Sequence, residues 1–309
     1  MRVRATLTTA IASMATATLL LAGCGGDPEP TEPAGAGTPT ADAFPVTVGE
    51  LTLTEQPTAV VSLSPAVTEM LFAIGAGDQV VAVDEFSNYP PEAPTTELSG
   101  FDPAPEAIAS YDPDLVLISY DPGDLVDQLG ALDIPVLTVP DNPTSLDDIY
   151  GQLGELGTLT GQVDGADELV RRMAEEVDQL VAAAPERDEP LTYYVEIDDN
   201  LWTYTSQSLV ATLFELVGLE NVAVTDDPFE VTMQLSPEVL VDSDPDIIFL
   251  ANAQYGVTAE DVSARDGWQE VAAVRDGHVV ELSPDIASRW GPRVVDLLRE
   301  AVDAVSQVS

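Results

Sequence analysis

The sequence predicts an α/β protein: two α/β lobes with parallel-type sheets, joined by one long rigid α-helix, with a ligand cleft between the lobes. Three observations carry this. Residues 59–89 (AVVSLSPAVTEMLFAIGAGDQVVAVDEFSNY) read as strand, helix and strand, a unit of about thirty residues that pairs its strands in parallel through a right-handed crossover. Residues 162–184 keep a single helical apolar face throughout. After a charged break at residues 185–190 (PERDEP), the alternation of short strands and helices begins again.

Taken in order, residues 46–48 and 51–53 form a hairpin around Gly49-Glu50. In the βαβ unit, Ser64 caps the helix and Pro65 takes its first position, where a missing N–H costs nothing. Met70, Leu71 and Ile74 recur at helical spacing, and Gly75 and Gly77 close the helix before the strand VVAV. The polar-aromatic loop 85–89 then lies at a strand C-terminus, where open α/β sheets place ligands. Residues 90–94 and 100–103 read as loop, 104–110 as a short helix, and 115–118 (LVLI) as a buried strand. A helix over 125–132, a strand over 136–139 and a helix over 146–157 complete the first half.

The helix over 162–184 buries Leu169, Val170, Met173, Val177, Leu180 and Val181, and turns Arg171, Arg172, Glu175, Glu176 and Asp178 to solvent. It spans on the order of 35 Å. The second half then has strands at 191–197, 246–250 and 277–282, with helices at 208–217, 236–241, part of 259–270, and 292–305. An internal echo links the halves. Residues 104–118 (APEAIASYDPDLVLI) and 236–249 (SPEVLVDSDPDIIF) both read Pro-Glu, apolar helix, Asp-Pro-Asp, apolar strand. The expected partition is a leader over 1–24, a disordered tether over 25–44, a first lobe over 45–158, the bridging helix over 159–185, and a second lobe over 186–309.

The leader has Arg2 and Arg4, an apolar stretch, and then Leu21-Ala22-Gly23-Cys24. That tetrapeptide looks like a bacterial lipobox, in which the cysteine becomes the lipidated N-terminus, and Cys24 is the only cysteine in the chain. Lipidation would hold the protein at the outer face of the cell membrane. The following Pro/Gly/Thr/Glu-rich segment has almost nothing to bury.

With 309 residues, 45% of them hydrophobic, the chain can bury substantial cores. Its formal net charge is -45, and its ten basic residues are all arginines. Such a chain repels nucleic acid. The catalytic repertoire is thin. With one histidine, one cysteine and no lysine, no Schiff base and no zinc site of several His or Cys ligands can be built. His278 sits in a turn before a strand, the ordinary place for an exposed polar residue. Neither a phosphate-binding loop nor a nucleophile elbow occurs.

Binding is better supplied. Phe86, Tyr89, Phe101, Tyr120, Trp202, Tyr204, Phe229, Tyr255 and Trp290 gather in polar loops at strand ends, walls for a large planar or ringed ligand. Trp268, in a helical context, reads as core. Arg289 in DIASRWGPR fits two roles: holding a carboxylate, amide or phosphate of a ligand beside Trp290, or a structural ion pair with Asp285.

These stretches resemble the extracytoplasmic solute receptors of ABC importers for iron-siderophores, haem and vitamin B12. The resemblance covers roughly residues 45–305 and rests on VVSLSPAVTEMLFAIGAGDQVVAV with NYPP, on DPDLVLI, and on IASRWGPRVVDLL. It implies a fold of two lobes on one rigid helix, a non-enzymatic binding role without a resident cofactor or metal, and a monomer working with a permease and its ATPase. Vitamin B12 receptors are nearest in pattern. Their cleft residues resemble Tyr89, Phe101, Tyr204, and the Asp285/Arg289 pair with Trp290 beside it. A second cleft tryptophan of theirs is Thr232 here, which leaves ferric siderophores and corrinoid-sized chelates both open. The single histidine excludes the zinc and manganese branch. In the family one glutamate per lobe docks on permease arginines, and by residue match these are Glu106 and Glu238. A sensor or adhesive lipoprotein of the same fold, or a carboxylate-based hydrolase, are the rival functions.

Overall fold

The computed structural model describes residues 43–283 and 285–308. Cys24, its leader, and all of the expected tether except its last two residues lie outside these.

β1 (Val46–Val48) and β2 (Leu51–Leu53) form the antiparallel hairpin, turned by Gly49 at φ 57°, a conformation that suits glycine. The first lobe is a five-stranded sheet of β3 (Val60–Ser62), β4 (Val80–Asp84), β5 (Thr95–Leu98), β6 (Leu115–Ile118) and β7 (Val136–Thr138). The strand order is β5-β4-β3-β6-β7, and every pairing is parallel. The chain therefore winds outward from β3 in one direction, then returns to lay β6 on its other side. Such a reversal opens a crevice at the strand C-termini.

Helices α1 (Pro65–Ala73), α2 (Pro105–Ala109), α3 (Leu125–Gly130) and α4 (Leu146–Thr160) cover this sheet. Ser64 caps α1 with Pro65 in its first turn. A Ser145/Asp148 capping box starts α4.

α5 (Val163–Ala183) connects the lobes and is about 32 Å long. Ala166, Leu169, Met173 and Val177 form its buried stripe, one to each turn. It stops where Ala184, preceding Pro185, turns to extended backbone, because a residue before proline disfavours the α region. Near its start it lies against the end of α1: a Cβ on Gly165 would stand 2.0 Å from the Ile74 carbonyl oxygen.

In the second lobe, β8 (Leu191–Glu196) is followed by β9 (Trp202–Tyr204), α6 (Leu209–Glu215), β10 (Leu219–Asn221) and β11 (Thr232–Gln234). Then come α7 (Pro237–Ser243), β12 (Ile247–Leu250), α8 (Ala259–Ser263), α9 (Ala272–Asp276), β13 (Val279–Glu281) and α10 (Val294–Gln307). The parallel sheet has the order β10-β8-β12-β13, reversing between β8 and β12, while β9 and β11 form a separate antiparallel pair.

Strands β5, β9, β10 and β11 had no counterpart in the sequence reading. Three of them have only three residues, and β5 (TTEL) has a single buried residue, Leu98. Pairing with neighbours, rather than an apolar pattern of their own, makes them strands. Trp202 and Tyr204 accordingly lie on a strand and not on a loop.

The echo between the halves is structural. Asp112 and Asp244, each before a proline, adopt left-handed backbone at φ 49° and 43°. Two residues later, the Asp114 carboxylate accepts from the Thr58 N–H (2.8 Å) and hydroxyl (3.0 Å). Asp246 accepts from the same two groups of Thr192, at the same distances. Each aspartate thus ties the start of its own strand to the chain entering the neighbouring one.

One buried apolar cluster runs through both lobes, including Leu71, Ile149, Met173, Phe214 and Leu298. Two smaller clusters fill the opposite faces of the sheets. One includes Ile108 and Leu125, and the other Leu240 and Trp268, which is buried as its context predicted.

Candidate functional site

The loop that follows β4 and the segment that follows β13 meet. Buried Asp84 builds the first of these: its carboxylate accepts from the Phe86 N–H (2.8 Å) and the Ser87 hydroxyl (2.7 Å). Burial pushes the Asp84 carboxyl above its ordinary value against these hydrogen bonds. Behind it, the Thr68 hydroxyl lies 3.1 Å from that of Ser87 and 2.9 Å from that of Ser62. The loop is thereby fixed, with Phe86, Asn88 and Tyr89 on its outer side.

Onto it comes the second-lobe segment. Arg289 donates to the Asn88 side-chain oxygen (2.8 Å) and to the Phe86 carbonyl (3.1 Å), and pairs with Asp285 at 3.0 Å. Its guanidinium also stands 3.7 Å from Glu69. Arg293 makes a two-pronged pair with the same glutamate, at 2.8 and 2.5 Å, and lies 4.3 Å from the centre of the Tyr89 ring. Glu69 raises the affinity of the Arg293 guanidinium for its proton. The Glu69 side chain is 2% exposed, so a buried carboxylate of the first lobe is shared by two guanidiniums of the second. Gly291 permits the approach, since a Cβ there would stand 3.3 Å from the Ala66 carbonyl.

Trp290 packs edge-to-face on Tyr204, with ring centres 5.6 Å apart. The Tyr204 hydroxyl donates to the Ala287 carbonyl at 2.9 Å, and burial pushes its pKa up to about 12. Thr232 is the strand partner of Tyr204.

Phe101 belongs to a second group. It is 70% exposed and stands between Phe86 (5.8 Å) and Tyr120 (6.4 Å), a row of rings beyond the ends of β4, β5 and β6. Phe86 joins the groups, its ring against Phe101 and its carbonyl on Arg289.

Of the predicted residues, the structure therefore brings Tyr89, Asp285, Arg289, Trp290 and Tyr204 to one interlobe seam, with Phe101 linked through Phe86. Arg289 is paired with Asp285, as the structural ion-pair alternative expected, and is also bound to the opposite lobe. Glu106 and Glu238 are exposed, each the second residue of a short helix, one in each lobe. Hydrogen bonds from its own backbone N–H and from Ser236 hold the Glu238 carboxyl below its ordinary value.

Glu69, Arg293 and Asn88 are the parts that sequence reasoning did not single out. An acid inside the apolar run AVTEMLFAI was the available signal for Glu69; a carboxylate on a core-facing helix requires a buried partner. A cavity of about 780 Å³ is lined by Glu69, Phe72, Tyr89, Pro90 and Glu92 among others. It borders the seam at Tyr89 but does not include Arg289, Tyr204 or Phe101. Among the described residues, no three His, Cys, Asp or Glu side chains converge as a metal site. No helix among them is long and apolar enough to cross a membrane.

Two α/β lobes on one long helix, with loops from both sheets joined at a charged and aromatic seam, define a two-lobed solute-binding protein. The chain belongs to the periplasmic binding protein family, whose model matches residues 60–286. It is 30% identical over 308 residues to an uncharacterised ABC transporter substrate-binding lipoprotein of Bacillus subtilis, covering 95% of both chains. It is 29% identical over 304 residues to a cobalamin-binding protein of Halobacterium salinarum, covering 89% of this chain and 80% of that one. Among solved structures, an iron(III)-hydroxamate transport protein of Saccharomonospora viridis shares the fold at a TM-score of 0.68 and 23% identity, over 84% of this chain and 99% of that one.

Proposed function

We propose that this protein is the extracytoplasmic receptor of an ABC importer, which captures a metal chelate between its lobes and delivers it to a membrane permease. The convergence of Tyr89, Arg289 and Trp290 from opposite lobes carries the reading, because a ligand held there touches both lobes at once. The relatives support the same role: one is named as an ABC transporter substrate-binding lipoprotein and another as cobalamin-binding. A ferric siderophore or a corrinoid is the ligand class. The rings of Tyr89, Phe101 and Trp290 supply apolar area, and Tyr204 backs Trp290 from behind.

In this reading Cys24 is lipidated and holds the receptor at the extracellular face of the cell membrane, as a monomer. Glu106 and Glu238 dock on the permease, one from each lobe. Both stand in the first turn of a helix, where the dipole favours a negative charge. The protein is not an enzyme, and the small scale of lobe motion follows from α5, which packs continuously along the core.

Native mass spectrometry of the body from residue 43, mixed with cobalamin, haem and ferric siderophores, tests this directly. A one-to-one adduct with one of them is expected. The Tyr89→Ala and Phe101→Ala variants, at positions outside the buried core, should keep the circular dichroism of the parent and bind that ligand at least about tenfold more weakly. No adduct with any panel member, or adducts indifferent to both substitutions, would refute the proposal.

A further inference from the structure

Resting on the receptor reading above, we infer that the captured chelate carries no net negative charge: it is an electroneutral or cationic metal complex rather than a polyanion. The protein has 55 acidic residues against ten basic ones, so its long-range field repels anions. A receptor with that field can still bind an anion if it presents an unpaired guanidinium in the site. This one does not.

At the interlobe seam Arg289 and Arg293 face Glu69 and Asp285, two cations against two carboxylates. Arg289 is further occupied by Asn88 and the Phe86 carbonyl. Arg265, just beyond α8, is bound through two nitrogens to buried Glu196, the last residue of β8, at 2.5 and 2.7 Å, with Trp268 beneath it. An entering carboxylate or catecholate could recruit Arg293 or Arg265 only by leaving Glu69 or Glu196 buried without its close partner, a state that costs more than the new pair returns, and Arg289 only by giving up Asp285, Asn88 and the Phe86 carbonyl together.

What the site offers an incoming ligand is uncharged. Phe86, Phe101 and Tyr120 present rings whose faces attract apolar edges and cations and disfavour anions. Ferric trihydroxamates and cobalamins meet this requirement. Ferric tricatecholates, with three negative charges, and haem, with its two propionates, do not.

The test uses the full chain in detergent, titrated calorimetrically with four probes: cyanocobalamin, a neutral ferric trihydroxamate, a ferric tricatecholate and haemin. At low salt at least one neutral probe should bind about tenfold or more tighter than either anion. The gap should narrow as added salt shortens the screening length from about 10 Å at 0.1 M to about 3 Å at 1 M. Glu69→Gln and Asp285→Asn each leave a guanidinium in excess, and each should move the neutral-to-anion affinity ratio several-fold toward the anion. Asp285 is the more exposed of the two at 37%, so its variant reports even where Glu69→Gln fails to fold. Tricatecholate or haemin binding as tightly as the neutral probes in the parent protein overturns the inference and leaves the receptor reading standing. Binding by none of the four overturns the receptor reading, and the inference falls with it.

Discussion

Replacing Glu69 by alanine removes a buried carboxylate that two guanidiniums of the other lobe share. Arg293 would keep only Asp285 at 4.0 Å and the face of Tyr89, and Arg289 would lose its neighbour at 3.7 Å. Their side chains are only 18% and 12% exposed, so water cannot fully replace the lost partner. Breaking a buried pair from one side costs about 3–5 kcal/mol, and Glu69→Ala belongs at that level. Arg293→Ala should cost less, about 2–3 kcal/mol, because Glu69 still has Arg289 beside it. Replacing both partners with apolar residues of similar size, Glu69→Met with Arg293→Leu, should recover most of the loss, since no charge is then left buried alone. Equilibrium urea unfolding of the four proteins measures all three values. A loss below about 1 kcal/mol for Glu69→Ala, or a double variant less stable than Glu69→Ala, would refute the argument that the carboxylate is shared and shielded.

Two further perturbations probe other parts of the frame. Gly165→Ala would drive a methyl to 2.0 Å from the Ile74 carbonyl oxygen, which belongs to rigid backbone. The two helices must separate, at about 1–3 kcal/mol, and a thermal midpoint equal to the parent's would show that the approach is not tight. Asp148 has its pKa lowered, chiefly by the Thr144 N–H and then by Ser145 and the Thr144 hydroxyl. A depressed carboxyl stabilises the fold above its unfolded value of 3.8 and loses that contribution as pH falls through the folded one. The stability gap between the parent and Asp148→Asn should therefore be full at neutral pH and close in acid. Urea midpoints at several pH values check this; a gap that widens on acidification contradicts it.

The parallel lobes and the long helix were legible because each rests on a pattern that burial writes into the chain. LVLI and IIFL are strands shielded on both faces, and residues 166, 169, 173 and 177 repeat at the pitch of a helix. The repeated Asp-Pro-Asp was legible too, and its aspartates prove to perform the same clamp in both lobes. What could not be read is pairing between segments far apart. Nothing local to Glu69 names Arg293 as its partner 224 positions away, nor does TTEL announce a strand until β4 lies beside it. Arg289 shows the limit most plainly: Asp285, one helical turn before it, was visible in the sequence, but Asn88 and the Phe86 carbonyl in the other lobe were not.

The single core that passes through both lobes has a consequence for how the chain becomes a protein. Its last helix, α10, contributes Val294, Leu297, Leu298, Ala301 and Val305 to the same cluster that holds Val48 and Leu53 near the start of the described body. The two ends of the described body therefore share one core: α10 closes what the first hairpin opens. Without α10 the side of α5 that faces it is bare, so the core spanning both lobes is complete only when α10 is in place.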